Sequence, residues 1–118
     1  MPNTPLIVTR TVSVTVTSTA AYSSPIYGNL YQNPFNIGFG VKTSGIAVVY
    51  SIQHTFDDVW AMTAPNTSAT WFPHEFVVSI SASNVDGNYA FPVAAYRLAV
   101  SANPSAVDVV LTGIQSRD

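Results

Sequence analysis

The sequence predicts an all-β protein: a single antiparallel β-sandwich or jelly roll of about seven or eight strands. Three observations carry that prediction. Val, Thr, Ser, Tyr and Phe dominate, and these types fit a pleated, half-buried surface. Apolar and polar residues alternate with period two in the clearest segments, and no segment keeps helical periodicity over a useful length. Turn residues recur between the strand-like runs. A chain of 118 residues makes one domain, 1–118, large enough to bury a core without staples.

Each element follows from local pattern. Residues 1–6 hold Pro2 and Pro5 and read as an extended arm. Ile7 to Thr17 gives the cleanest strand, with Val8, Val12, Val14 and Val16 on one face, Arg10 among them, and Thr9, Thr11, Ser13, Thr15 and Thr17 on the other. Residues 18–36 contain two prolines, one glycine and four aromatics. That stretch reads as a long docking loop with a short strand near Ile26–Leu30. Ile37 to Val41 is the next strand, and Gly38 and Gly40 mark a bulge or a close backbone approach.

Ile46 to Thr55 alternates cleanly, with Ile46, Val48, Tyr50, Ile52 and His54 on one face. Trp60–Met62 and Thr70–Phe72 read as short strands around an Ala64–Ser68 loop, and Phe76–Ser81 as a longer one. Asn84 to Asn88 reads as a turn in which Gly87 supplies a positive φ. Tyr89–Ser101 and Val107–Gln115 are expected to form a closing hairpin about the Asn103-Pro104-Ser105 turn.

Composition narrows function by exclusion. Only 8% of residues are charged, against about 25% in an ordinary soluble domain, and none lies between Arg10 and Lys42. Such a surface is expected to be covered by other protein and to drive oligomer formation. One lysine and three arginines at net charge −2 make no nucleic-acid footprint. No apolar run reaches the roughly 18 residues of a membrane helix. The start Met1-Pro2-Asn3-Thr4-Pro5 reads as synthesis in the cytoplasm without a signal peptide. The chain has no cysteine, so thiolate chemistry and disulfides are excluded.

The candidate chemistry is sparse. His54, Asp57, Asp58 and His74 are the one cluster resembling a metal site, but their spacing matches no ligand pattern. They read as a polar strand end whose carboxylates accept backbone N–H bonds. No Gly-x-Ser-x-Gly elbow accompanies the serines. The expectation is no enzyme, no metal and no cofactor. Arg97 lies inside an apolar strand and is expected to pair with Asp57 or Asp58, to reach a strand end or a neighbouring subunit, or else to sit at a solvated edge. Trp71 and Phe72 are assigned to the core. Tyr22, Tyr27, Tyr31 and Phe35 in the uncharged loop are assigned to an interface, with Pro2, Pro5 and Leu6 of the arm and with Trp60 and Met62. The same aromatics could stack on sugar rings, which leaves a carbohydrate-binding module as the alternative from another class.

Four strings carry a family likeness: Asn33-Pro34-Phe35-Asn36-Ile37-Gly38-Phe39-Gly40-Val41, Tyr50-Ser51-Ile52-Gln53-His54-Thr55-Phe56-Asp57-Asp58, Trp71-Phe72-Pro73-His74, and Asp86-Gly87-Asn88-Tyr89-Ala90-Phe91-Pro92-Val93 followed by Arg97-Leu98. The series, spanning about residues 8–115, resembles small β-rich proteins encoded among the structural genes of tailed bacteriophages. The resemblance implies a virion component and carries over no catalytic or ligand residue. It makes a capsid decoration (cement) protein the first expectation, bridging major-capsid subunits and contacting copies of itself. A tail or head–tail connector part is the alternative. Nucleic acid and membrane are not among the expected partners.

Overall fold

The computed structural model describes residues 8–17, 21–30, 35–44, 47–81 and 83–117, the side chains of 8–13 and 116–117 excepted. Ten strands run through the described residues: β1 Val8–Val16, β2 Ala21–Tyr22, β3 Ile26–Tyr27, β4 Ile37–Thr43, β5 Val49–Thr55, β6 Phe72–Pro73, β7 Ile80–Ser81, β8 Val85–Tyr89, β9 Ala95–Ala102 and β10 Val109–Arg117. They form two antiparallel sheets. The first has the order β1-β10-β4-β8. The second is centred on β9 and β5, with β2 and β3 pairing β9 and with β6 and β7 pairing β5. The all-β sandwich read from the sequence is therefore the fold, divided into more and shorter strands.

Alternation explains the core. Ile37, Phe39 and Val41 of β4 point inward while Gly38 and Lys42 face out. Tyr50 and Ile52 of β5, Tyr96, Leu98 and Val100 of β9, and Val109 and Leu111 of β10 complete the buried layer. Tyr89 of β8 sits among them, its ring 5.6 Å from Phe39 and 5.8 Å from Tyr96.

Three expectations about connections are corrected. β9 and β10 form no hairpin: they belong to different sheets, and the chain crosses the sandwich between them. Asn103, fully buried, holds that crossover by donating Nδ2–H to the Val107 carbonyl at 2.8 Å and accepting the Val107 N–H at 3.1 Å. Asn-Pro-Ser is turn chemistry for a crossover as much as for a hairpin. Residues 85–89 are a strand rather than a turn, and no described glycine has positive φ. Gly87 serves a different need, because a Cβ there would lie 2.8 Å from the Phe39 ring. Of Phe76–Ser81 only Ile80–Ser81 is strand, while Trp60 falls in a 3-10 turn, Val59–Ala61, and Pro65–Ser68 forms a single helical turn, α1. Both short helical pieces lack the length for a period to be read.

Candidate docking surface

At one end of the sandwich β5 stops, β6 pairs with it, and β8 runs out beside them. Sequence order brings His54, Phe56, Phe72, His74, Tyr89 and Phe91 together there. His54 is buried at the centre, its ring 5.2 Å from Phe56, 6.1 Å from Phe72, 5.7 Å from Phe91 and 5.0 Å from Tyr89. Three of these neighbours, Phe56, Phe72 and Phe91, are themselves exposed. Phe76 is 75% exposed and borders a cleft of about 330 Å³ that Phe91, His54 and Pro73 also line. Together the four phenylalanine residues leave on the order of 400 Å² open to solvent, taking about 200 Å² per residue. Phe72 therefore leaves the core to which its sequence context assigned it.

Hydrogen bonding fixes both imidazoles. His74 Nδ1 accepts the N–H groups of Phe76 and Val77, each at 3.1 Å, and Nε2 donates to the Asn88 carbonyl at 3.0 Å. Amides only donate and a carbonyl only accepts, so His74 is the neutral Nε2–H tautomer. It clamps the turn that presents Phe76. His54 Nδ1 lies 3.0 Å from the Tyr89 hydroxyl. Burial raises the Tyr89 pKa, so the phenol keeps a proton to donate. Burial first, and the proximity of His74 second, lower the His54 pKa below its ordinary 6.5.

The sign of the pH effect follows. Below about pH 6.5 the unfolded chain takes up a proton at position 54 that the folded imidazole resists. Stability is expected to be full above that pH and to fall as acid is added, down to the lowered folded pKa. Urea midpoints at pH 7.5 and 5.5 measure this, and His54→Phe should shrink the difference between them.

Arg97 has other partners than those expected. It is buried, and its guanidinium lies between the rings of Tyr22, at 3.7 Å, and Trp71, at 4.2 Å. Its Nε donates to Gln53 Oε1 at 2.9 Å, and one terminal nitrogen donates to both the carbonyl and Oδ1 of Asn66 at 3.0 Å. Asn66 in turn donates to the Ser23 carbonyl at 3.0 Å. Asp57 instead accepts the Thr70 N–H at 2.6 Å, and Asp58 is exposed ahead of the 3-10 turn. Ring faces and neutral oxygens satisfy the cation, so the Arg97–Asp57 or Arg97–Asp58 ion pair does not form.

The other interface candidates separate. Trp60 is 66% exposed and stacks on half-buried Tyr27 at 4.4 Å. Tyr22 is exposed, with one ring face against Arg97. Met62 is half-buried against Val59, Ala94 and Ala95. Phe35 is a correction: at 8% exposure it belongs to the core, its ring filling the space beside Gly28, where a Cβ would lie 3.1 Å from it. Pro2, Pro5, Leu6 and Tyr31 lie outside the described residues. Among the described residues no three His, Asp or Glu converge as a metal would require.

Sequence reasoning missed the Phe56–Phe72–Phe91 cluster. A signal existed: Phe56 lies just beyond a strand-like run, and Phe72 and Phe91 each stand directly before a proline, which limits regular strand pairing.

No family model matches the chain, and no curated protein does. Among solved structures it is similar to Bacillus endospore appendages, described as a novel family of disulfide-linked pili, at 12% identity and a TM-score of 0.43. The match covers 95% of this chain and 89% of that one. This chain has no cysteine with which to form such links, and a likeness this distant carries no argument about function.

Proposed function

We propose that this chain is a structural subunit of a tailed-phage virion, a capsid decoration protein that binds the major capsid protein and copies of itself. One observation supports the docking role above the others: the open phenylalanine end built on His54 and Tyr89. Its area falls in the roughly 300–600 Å² range in which the largest apolar patch of a monomer is often functional. Rigid, pre-packed rings lose little entropy on docking. The scarcity of charge, 8% of residues, lowers the desolvation cost over the rest of the surface. The step from docking subunit to virion component rests on the resemblance of the four strings quoted above. Repetition over a symmetric shell would multiply modest contacts through avidity.

The test is location and copy number. In purified particles the protein should be present in hundreds of copies and should stay with DNA-filled heads after tails are removed. The double variant Phe56→Ser/Phe91→Ser should fold and yet lose at least about tenfold in head occupancy, since two half-open rings at a contact are worth more than about 1.4 kcal/mol. Recovery of the protein with tails alone would overturn the decoration role.

A further inference from the structure

The open edges of the two sheets are unlike one another. In the second sheet they are two-residue strands, with Pro73 inside β6 and Pro25 between β2 and β3. β8, at one side of the first sheet, has five residues and includes Asp86 and Gly87. Such edges are blunted against pairing. β1 is different. It pairs with β10 at nine consecutive positions, from Val8↔Arg117 to Val16↔Val109, with no bulge. Among the described residues no strand pairs with its other side. Its sequence, VTRTVSVTV, has no proline, glycine or lysine and a single charge, Arg10. A long, bulge-free edge of that composition is a template for another strand.

The same nine residues say which strand. Read outward from Val12, the sequence is nearly a palindrome: Val8 matches Val16, Thr9 matches Thr15, and Thr11 matches Ser13. Only Arg10 and Val14 break the symmetry. Antiparallel pairing about a two-fold axis sets each residue opposite its mirror position. Two β1 strands centred on Val12 would therefore put Val opposite Val and Thr opposite Thr or Ser. Thr–Thr and Thr–Ser pairs can hydrogen-bond across such a seam, and each stabilises the pairing. The two Arg10 residues would stand opposite Val14, not opposite each other. A slip of one residue would set Val against Thr and turn the core face of one copy to the solvent face of the other.

We propose that a second copy of this chain docks on the β1 edge through a two-fold antiparallel β1–β1 seam centred on Val12. The four-stranded sheet then continues as one sheet across two copies, joined by about eight to ten main-chain hydrogen bonds. An isologous contact of this kind closes at two copies and does not run on into a fibre. The inference deepens the assembly role proposed above and rests on it for its biological use.

The experiment is sedimentation of the full-length chain across a concentration series, with circular dichroism to confirm folding. Wild type should sediment at twice the mass of the 12.6 kDa chain. Position 11 faces position 13 of the other copy across the seam. Thr11→Lys/Ser13→Lys should therefore set lysine against lysine twice and weaken dimerisation at least about tenfold, whereas Thr11→Lys/Ser13→Glu should retain it. As a second measurement, Thr11→Cys mixed with Ser13→Cys should give a disulfide-linked dimer that neither variant gives alone, because the chain has no cysteine of its own. A wild type that stays monomeric, or equal behaviour of the Lys/Lys and Lys/Glu variants, would overturn the seam. A monomer that still decorates heads overturns the seam alone; a dimer absent from particles overturns the virion role alone.

Discussion

Gly113→Ala is expected to destabilise the fold by about 3 kcal/mol, the upper part of the usual range for overpacking a filled interior. Gly113 lies in β10, between β1 and β4, and pairs with Val12 on one side and Phe39 on the other. The Tyr96 hydroxyl of the opposite sheet occupies the place a Cβ would take, and the Tyr96 ring carbon Cζ would be 2.8 Å away. Tyr96 cannot withdraw, because its ring packs against Phe39 and Tyr89 at 6.2 and 5.8 Å and is 2% exposed. The neighbouring strand supplies a control. A Cβ on Gly38 or Gly40 of β4 meets nothing within 4 Å, so Gly38→Ala should be neutral or gain up to about 1 kcal/mol. Urea denaturation of both variants measures the contrast. Adding Tyr96→Phe to Gly113→Ala should recover part of the loss, since it removes the hydroxyl and leaves the ring. Strictly additive losses would show that the two positions do not meet.

Arg97→Leu is the second large effect, expected at about 3 kcal/mol, because it removes a buried guanidinium and strands its half-buried partners. The guanidinium ties β9 to Gln53 of β5, to Asn66 of α1 and to the rings of Tyr22 and Trp71. Removing it leaves the Asn66 oxygens and Gln53 Oε1 without their donor and opens a gap between two rings. Arg97→Lys should restore little, since an ammonium cannot bond Gln53 and Asn66 together from one flat fork. Calorimetric melting should show a fall of about 10 °C for either variant. The emission of Trp71 should shift to the red as its ring loses the cation cover. A melting point unchanged in Arg97→Lys would mean that charge alone, without the fork, holds these segments.

Both predictions rest on contacts between distant parts of the chain, and that is where sequence reading ran out. Period-two alternation placed β1 and β5 within a few residues of their limits, because facing is decided residue by residue along a strand. Strand-like composition found the body of β4, β9 and β10, although Tyr89, read as the start of β9, instead ends β8. The same local rule set Val48, Tyr50, Ile52 and His54 on one face, and that face is the buried one. It failed where facing is not periodic. Phe72 and Phe35 exchanged roles: Phe72 sits on a two-residue edge strand and is left open, while Phe35 is buried beside Gly28.

By itself, the sequence determined an all-β sandwich, a composition poor in charge, and the alternating strand that became β1; that β1 lies at a sheet edge was decided by the topology. Tertiary structure alone decided that β9 and β10 part into opposite sheets, that Gly113 yields its space to Tyr96, and that Arg97 settles between two rings without a carboxylate. It also decided that His54 gathers three open phenylalanines at one end. The physical reason is range. Alternation and turn chemistry act over a few residues, whereas these features depend on which segments, tens of residues apart, the packed core brings side by side.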